Sequence, residues 1–392
     1  MMVTLEILAG LLLVLTLPGS LYLATLTLAA RIHKPPTPVV AMPGRMAIVV
    51  PAHNEAAGIA ATLGNLLPLA REDGNAEVIV VADNCSDETA AIATGCGARV
   101  LARQNPDLRG KGYALDFAFN HLLKEDFSAF VVVDADSRAA PYFLLRLRQH
   151  FARGARAIQS RYTVLNVNDS ARTQLFELAL QAFNVLRPMG RSRLGFSAGI
   201  LGNGFALRSD VLREVPYTAA SVVEDLEYHL RLIEAGVKVE FASDALIRGE
   251  MPTTGTGAAS QRARWEGGRL RMLLDHAPAL MQQAFTGHWR FVEPLLDLLL
   301  LPLAYHVFFL LLLCVLPFPL ASFSGFLGLL IVVWHVAVAA RLGGMGGRQL
   351  FKTLCSVPAY LVWKLVRIGF ILRSARQGSA WVRTERNFKE AR

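Results

Sequence analysis

The chain has 392 residues, 53% of them hydrophobic and only 18% charged, with a mean hydropathy of +0.37. That is too apolar for an ordinary soluble enzyme, yet the middle of the chain has normal polarity, so a soluble domain joined to membrane helices is expected. Forty Lys and Arg against 31 Asp and Glu leave +9, but many of the cations (Arg31, Lys34, Arg341, Arg348, Lys352, Arg373, Arg376) flank apolar runs, which fits a membrane protein and argues against a nucleic-acid partner.

An apolar run over 7–30 is long enough to span a bilayer and too long for a signal-peptide core, and Glu6 stands where a signal peptide would be positive. Arg31, His33 and Lys34 predict that the chain then enters the cytoplasm, through a stiff linker holding Pro35, Pro36 and Pro38. Strands are expected at 46–51, 78–83, 99–102 and 130–133, and helices at 58–71, 89–94 and 109–123, with Ser86 or Asp87 capping the second helix. This alternation predicts a doubly wound, mostly parallel sheet with right-handed crossovers. Three strands then end in acidic residues on one edge: Glu55, Asp83, and Asp134 with Asp136. One such ending serves equally well as a helix cap; three converging make a site. Two hard anionic ligands one residue apart suit Mg²⁺ or Mn²⁺ against a diphosphate.

Beyond Pro141 the pattern is mixed: a strand near 158–163, a helix over 171–185, a glycine-punctuated stretch at 199–208, a helix over 222–235, a strand at 238–241 and a cationic helix over 261–272. Two apolar spans follow at 294–316 and 319–340, joined by a short Pro-rich turn. The apolar stretch 351–372 carries Lys352, Lys364 and Arg367, costly at mid-bilayer, and reads as a helix lying in the interface. The expected organisation is a membrane helix over 1–34, a cytosolic domain over 35–285, a transmembrane hairpin over 286–345, and an interfacial helix with a basic tail over 346–392. Cys85, Cys96, Cys314 and Cys355 lack metal-ligand spacing and read as reduced thiols.

Six motifs in order resemble the membrane-integrated family 2 glycosyltransferases. They are Pro51-Ala-His-Asn-Glu55; Asp83 with Asn-Cys-Ser-Asp87; Gly110-Lys111-Gly-Tyr-Ala; Asp134-Ala-Asp136; Val223-Glu224-Asp225; and Gln261-Arg-Ala-Arg264-Trp265. The resemblance covers about 46–269 and departs from the family at Val223, where Thr is usual. It implies an α/β fold of the GT-A (Rossmann-like) type, with a mostly parallel mixed sheet, attached to transmembrane helices. It also implies an inverting transfer from a nucleotide-diphosphate sugar, with a UDP-sugar the expected donor and Mg²⁺ or Mn²⁺ the cofactor.

By that resemblance Pro51, Glu55, Asp83, Lys111, Asp134, Gln261 and Arg264 bind the nucleotide sugar, and Asp136, with Asp134, holds the metal. Trp265, Gly202, Asn203 and Gly204 face the acceptor, and Asp225, next to Glu224, is the general base. Without the family, Glu224 and Asp225 would equally suit a helix start, where acids favour the dipole, and Trp265 would suit an interfacial anchor. His53 and His229 read as surface or packing residues. A Trp381-Val-Arg383-Thr384-Glu-Arg386 ending resembles one seen in some of these enzymes and is expected either to fold over the nucleotide or to remain a free tail.

The expected acceptor is a membrane lipid or lipid-linked intermediate in envelope glycolipid or exopolysaccharide assembly, at a multi-pass position in the cell (inner) membrane. A processive synthase acting on a glycan, with a homo-oligomer supplying its channel, and a catalytically silent scaffold are the alternatives.

Overall fold

Apolar, largely β-branched runs form the central strands, because a strand covered on both faces must be apolar on both. The computed structural model describes residues 2–32, 39–218, 221, 223–253 and 255–369. The linker prolines at 35–38 and the tail from 370, with Trp381, Arg383, Thr384 and Arg386, lie outside the described residues. The chain divides into two units. Among the described residues, one unit comprises 39–176 and 197–261 and is termed the donor-site unit after the role the sequence leads one to expect, and a helical unit comprises 2–32, 177–196 and 262–369.

The donor-site unit holds one eight-stranded sheet: β1 (Arg45–Ala52), β2 (Ala76–Asp83), β3 (Arg99–Arg103), β4 (Phe127–Val132), β5 (Ser137–Ala139), β6 (Ala157–Val164), β7 (Phe205–Arg208) and β8 (Val239–Gly249). Their order is β3-β2-β1-β4-β7-β6-β8-β5. The first four are parallel, with Ile48 opposite both Val78 and Val131. β7 runs antiparallel between β4 and β6, β6 and β8 are parallel, and β5 is antiparallel to β8. The doubly wound half is thus as expected. Parallel strands bring their carboxyl ends to one edge, so the segments after Pro51, Asp83 and Val132 emerge side by side.

The sequence reading misses β5, β7 and the helices Phe143–Ala152, Arg187–Arg193 and Ser209–Glu214. The cationic helix is also longer than its motif, running over Gly255–Phe285.

In the helical unit, Met2–Ala29 and Pro319–Leu342 are long and apolar enough to cross a membrane. The expected continuous span at 294–316 is not one helix. Trp289–Leu299 and Leu303–Val315 meet at a 77° bend. The cause is Pro302, which lacks an N–H and disfavours helical backbone in the residue before it; Leu300 has already turned extended, with ψ 113°. The stretch expected as one interfacial helix is likewise two, Gly347–Cys355 and Val357–Val366, parted at Ser356 ahead of Pro358.

A second departure is the Glu177–Phe196 segment, which packs in this unit through buried ion pairs. Arg187 and Arg191 meet Asp297 and Glu293, Arg269 reaches Asp297 at 3.2 Å, and the Tyr22 hydroxyl donates to Glu293. Charges in so apolar a unit persist only when paired.

Candidate active site

The loops leaving β1 and β2 are cross-braced. Asn54 Oδ1 accepts from the Ser86 N–H at 2.8 Å, and the Asp87 carboxylate accepts from the Ala56 and Thr89 N–H groups at 3.1 and 3.0 Å. The cap position of the Thr89–Gly95 helix is Glu88, not Ser86 or Asp87 as expected, and Asp87 binds the first helical N–H from one residue before it. Pro51 lies in register with Val81, and His53 Nδ1 hydrogen-bonds the Asp83 carbonyl at 2.8 Å. The Glu55 N–H donates to Thr89 Oγ1 at 2.8 Å. Asn54 and Asn84 take φ of 54° and 49°, which Asn tolerates better than most residues and which turns both loops sharply. Asp83 is buried in an ion pair with Arg103 at 2.5 Å, the residue it faces across β2 and β3.

The Asp134–Asp136 turn is held from below by buried polar side chains. Asn203 is 1% exposed; its Oδ1 accepts from the Asp134 N–H at 3.1 Å and its Nδ2 donates to Ser137 Oγ at 2.8 Å. Ser137 Oγ in turn donates to Asp136 Oδ1 at 3.1 Å. Thr62 donates to the Ala135 carbonyl at 2.6 Å. Gln159 donates to the Asn203 carbonyl and accepts from the Leu201 N–H, both at 2.8 Å, and so fixes the 199–204 loop that carries Asn203. Sequence reasoning missed Thr62, Ser137 and Gln159, and assigned Asn203 to the acceptor. Here it braces the Asp134 turn.

Lys111 crosses the site, its ammonium donating to the Asp134 carboxylate and to the Gly202 carbonyl. Burial opposes its charge, but Asp134, Glu224 and Asp225 together hold it above the ordinary lysine range. Glu224 and Asp225 open the Glu224–Glu234 helix, and Asp225 Oδ1 accepts from the Leu226 N–H at 2.8 Å. Burial and the Asp225 charge push the Glu224 carboxyl up to about 8, with Lys111 opposing; burial likewise raises Asp225. Adjacent carboxylates that resist ionising together are what a proton acceptor working near neutrality requires.

Two glycines make this close assembly feasible. Gly202 has φ +78°, and a Cβ there would lie 3.1 Å from Asp225 Oδ2. Gly204, at φ +68°, would place a Cβ 2.2 Å from Ser160 Oγ and 2.6 Å from Ile247 Cγ2, inside the sheet. Gly204→Ala is expected to cost about 2–4 kcal/mol through overpacking and left-handed backbone strain, read as a lower denaturation midpoint of the full chain.

Of the remaining sequence candidates, Gln261 is buried at the end of the donor-site unit, whereas Arg264 and Trp265 belong to the helical unit, with Trp265 37% exposed. His229 is buried and bonded to Ser197 at 2.8 Å, a packing role. Among the described residues no three His, Cys, Asp or Glu side chains form a metal cage.

The model of glycosyltransferase-like family 2 matches residues 43–268. Probable glycosyltransferase YdaM of Bacillus subtilis is 26% identical over 241 residues, covering 59% of this chain and 56% of that protein. Beta-monoglucosyldiacylglycerol synthase of Trichormus variabilis is 26% identical over 268 residues, 66% of this chain and again 56% of that protein. The chain thus spans little more than half the length of these relatives. In three dimensions it resembles mannosyltransferase PcManGT of Pyrobaculum calidifontis, solved with GDP-Man and Mn²⁺. The TM-score is 0.55 at 18% identity, covering 95% of this chain and 97% of the other, so the likeness concerns the fold, GT-A. With the family match spanning more than half the chain and its acidic motifs gathered at one sheet edge, the chain belongs to glycosyltransferase family 2.

Proposed function

We propose that this chain is an inverting transferase that moves a sugar from a UDP-sugar to a membrane lipid or lipid-linked acceptor, its donor-site unit facing the cytoplasm and its helices in the cell membrane. The observation that carries this reading is Lys111 lying between Asp134 and Gly202, with Asp225 against that same glycine. A cation aimed at an acidic strand end suits a donor diphosphate, and a base with a raised pKa suits an acceptor hydroxyl. A lipid acceptor is favoured by the name of the Trichormus relative and by the apolar helices.

The chemistry assigns each residue one task. Glu55 and Asp83, on their cross-braced loops, hold the nucleoside, with Pro51 shaping the turn and Gln261 supporting the motif that follows. Lys111 and Arg264 compensate charge on the diphosphate, Arg264 through its planar fork. Asp225 takes the proton of the attacking hydroxyl; Glu224, by withholding its own proton until higher pH, keeps negative charge from doubling there. Trp265 offers an aromatic face to the acceptor. One displacement inverts the anomeric carbon, so no covalent nucleophile is required.

Asp134 and Asp136 fit a divalent cation by their donor chemistry. Two hard carboxylates, with no fuller cage among the described residues, leave places for phosphate oxygens and water, the usual arrangement for Mg²⁺ or Mn²⁺ at a diphosphate. When bound, the ion would supply Lewis-acid stabilisation of the leaving group.

The test is turnover of radiolabelled UDP-sugars, with GDP-mannose alongside, by the full chain in native lipid, followed by solvent partition of the products. A discrete solvent-soluble glycolipid supports the reading. A ladder of water-soluble glycan would replace it with a processive synthase, and nucleotide binding without any product would leave a scaffold.

A further inference from the structure

The 261–265 motif lies on a helix whose next face is gripped by another segment a hundred residues later. The Arg262 guanidinium donates to the Tyr360 hydroxyl and stacks 4.6 Å from its ring centroid, with the Trp363 ring at 5.9 Å. One turn further along, Glu266 Oε1 pairs with Lys364 Nζ at 2.8 Å, and that ammonium sits 4.7 Å from the Tyr305 ring. Arg262 and Glu266 are four residues apart, and so are Tyr360 and Lys364. Positions i and i+4 share one helix face, so two matched pairs fix both the rotation and the axial register of one helix against the other.

The Lys364 side chain is 5% exposed and that of Glu266 16%. A pair this sheltered is strongly missed when one partner is removed, because the other remains as a buried charge. The opposite face of the Val357–Val366 helix is apolar and open: Val362 is 63% exposed and Val366 80%. Lys364, whose charge alone argues for interfacial placement, is turned inward.

Arg264 and Trp265 lie in the turn between the two gripped positions. We infer that Tyr360 and Lys364 are positioning residues for transfer: they act through Arg262 and Glu266 to hold the turn bearing Arg264 and Trp265 in its working rotation. This inference rests on the proposed roles of Arg264 at the diphosphate and Trp265 at the acceptor. Misplacing a binding group by about 1 Å costs on the order of 100-fold in rate, so the latch has leverage on the reaction without touching a substrate.

The experiment compares wild type, Lys364→Met, Trp265→Ala and their double variant, all as full chains in lipid, by kcat and KM for donor and acceptor. Wild-type turnover is established first; its absence would defeat the proposed function itself, not the latch. With turnover in hand, Lys364→Met is expected to lower kcat/KM about 10- to 100-fold, and the double variant to be scarcely worse than Trp265→Ala, because both act through one turn. Lys364→Arg, which keeps the charge pair, is expected to stay within about threefold of wild type. Losses that multiply in the double variant, or a Lys364→Met rate equal to wild type, would overturn the inference. If Lys364→Met fails to fold, Tyr360→Phe takes its place in the same cycle, judged by the same two outcomes.

Discussion

Replacing Asp225 by Asn is expected to lower kcat about 10²- to 10⁴-fold, the range assigned to a positioned general base, while the donor KM changes little. The isostere keeps the Leu226 N–H bond and the contact with Gly202, so the loss isolates the proton acceptor. The pH profile carries a second signature. Burial raises Asp225, and burial together with the Asp225 charge lifts Glu224 to about 8, so kcat/KM should climb along a limb displaced above the ordinary carboxylate range. Lys111 holds both groups down; Lys111→Met is therefore expected to move that limb to higher pH as well as weaken donor binding. The stability sign follows from the same shift. A carboxyl raised from 4.5 to about 8 on folding contributes stability below the unfolded value, and loses it as pH rises through the folded one. Glu224→Gln should flatten that decline in denaturation experiments between pH 5 and 8, roughly the window between the two values. A profile flat from pH 5 upward would remove Asp225 from the base role.

Asp136→Ala is expected to abolish turnover to within about a thousandth of wild type, since Lewis-acid stabilisation of a leaving group contributes several kcal/mol. Chelation by EDTA should give the same residual rate, with Mn²⁺ or Mg²⁺ restoring wild type but not the variant. The measurement is turnover across a metal titration, beside isothermal binding of Mn²⁺ in the presence of UDP. Asn203→Ala provides the contrast, because it removes the brace under the Asp134 turn while leaving both carboxylates. Its metal affinity should weaken by roughly 10- to 100-fold, the range found when outer groups that orient ligands are removed. A full rate for Asp136→Ala would relocate the metal or dispense with it.

The doubly wound half of the donor-site unit was legible in the sequence because each strand is a short apolar run ending in a polar turn, a local signal. Glu55, Asp83 and Asp134 could be placed on one edge for the same reason: parallel strands share a direction. The partners of those acids were not legible. Arg103 meets Asp83 through strand register, and Asn203 reaches Asp134 across 69 positions of chain. Neither register nor long-range pairing is written in local pattern. The Phe143–Ala152 helix was available, since Phe143, Leu144, Leu147 and Phe151 recur at helical spacing and are buried, yet its interleaved Arg and His residues mask the stripe. The continuity of the helix expected at 294–316 was not legible, because an apolar run was read by composition and the missing N–H of Pro302 was not weighed.

Both units are discontinuous along the chain, and that bears on how the protein is made. During synthesis the Met2–Ala29 helix leaves the ribosome long before Glu177–Phe196, whose Arg191 pairs with the Glu293 that accepts from the Tyr22 hydroxyl, and before Pro319–Leu342, which supplies His335 to Thr27 at 2.7 Å. The first helix must therefore wait, with its polar groups unmatched, while most of the donor-site unit is translated and able to fold. Cutting the gene at residue 34 to obtain a soluble enzyme would leave Arg187 and Arg191 on a segment that has lost its neighbour. A fragment ending before residue 262 would strand them entirely. Split-chain complementation, with 1–33 supplied separately, would show whether the order of arrival matters or only the final set of pieces.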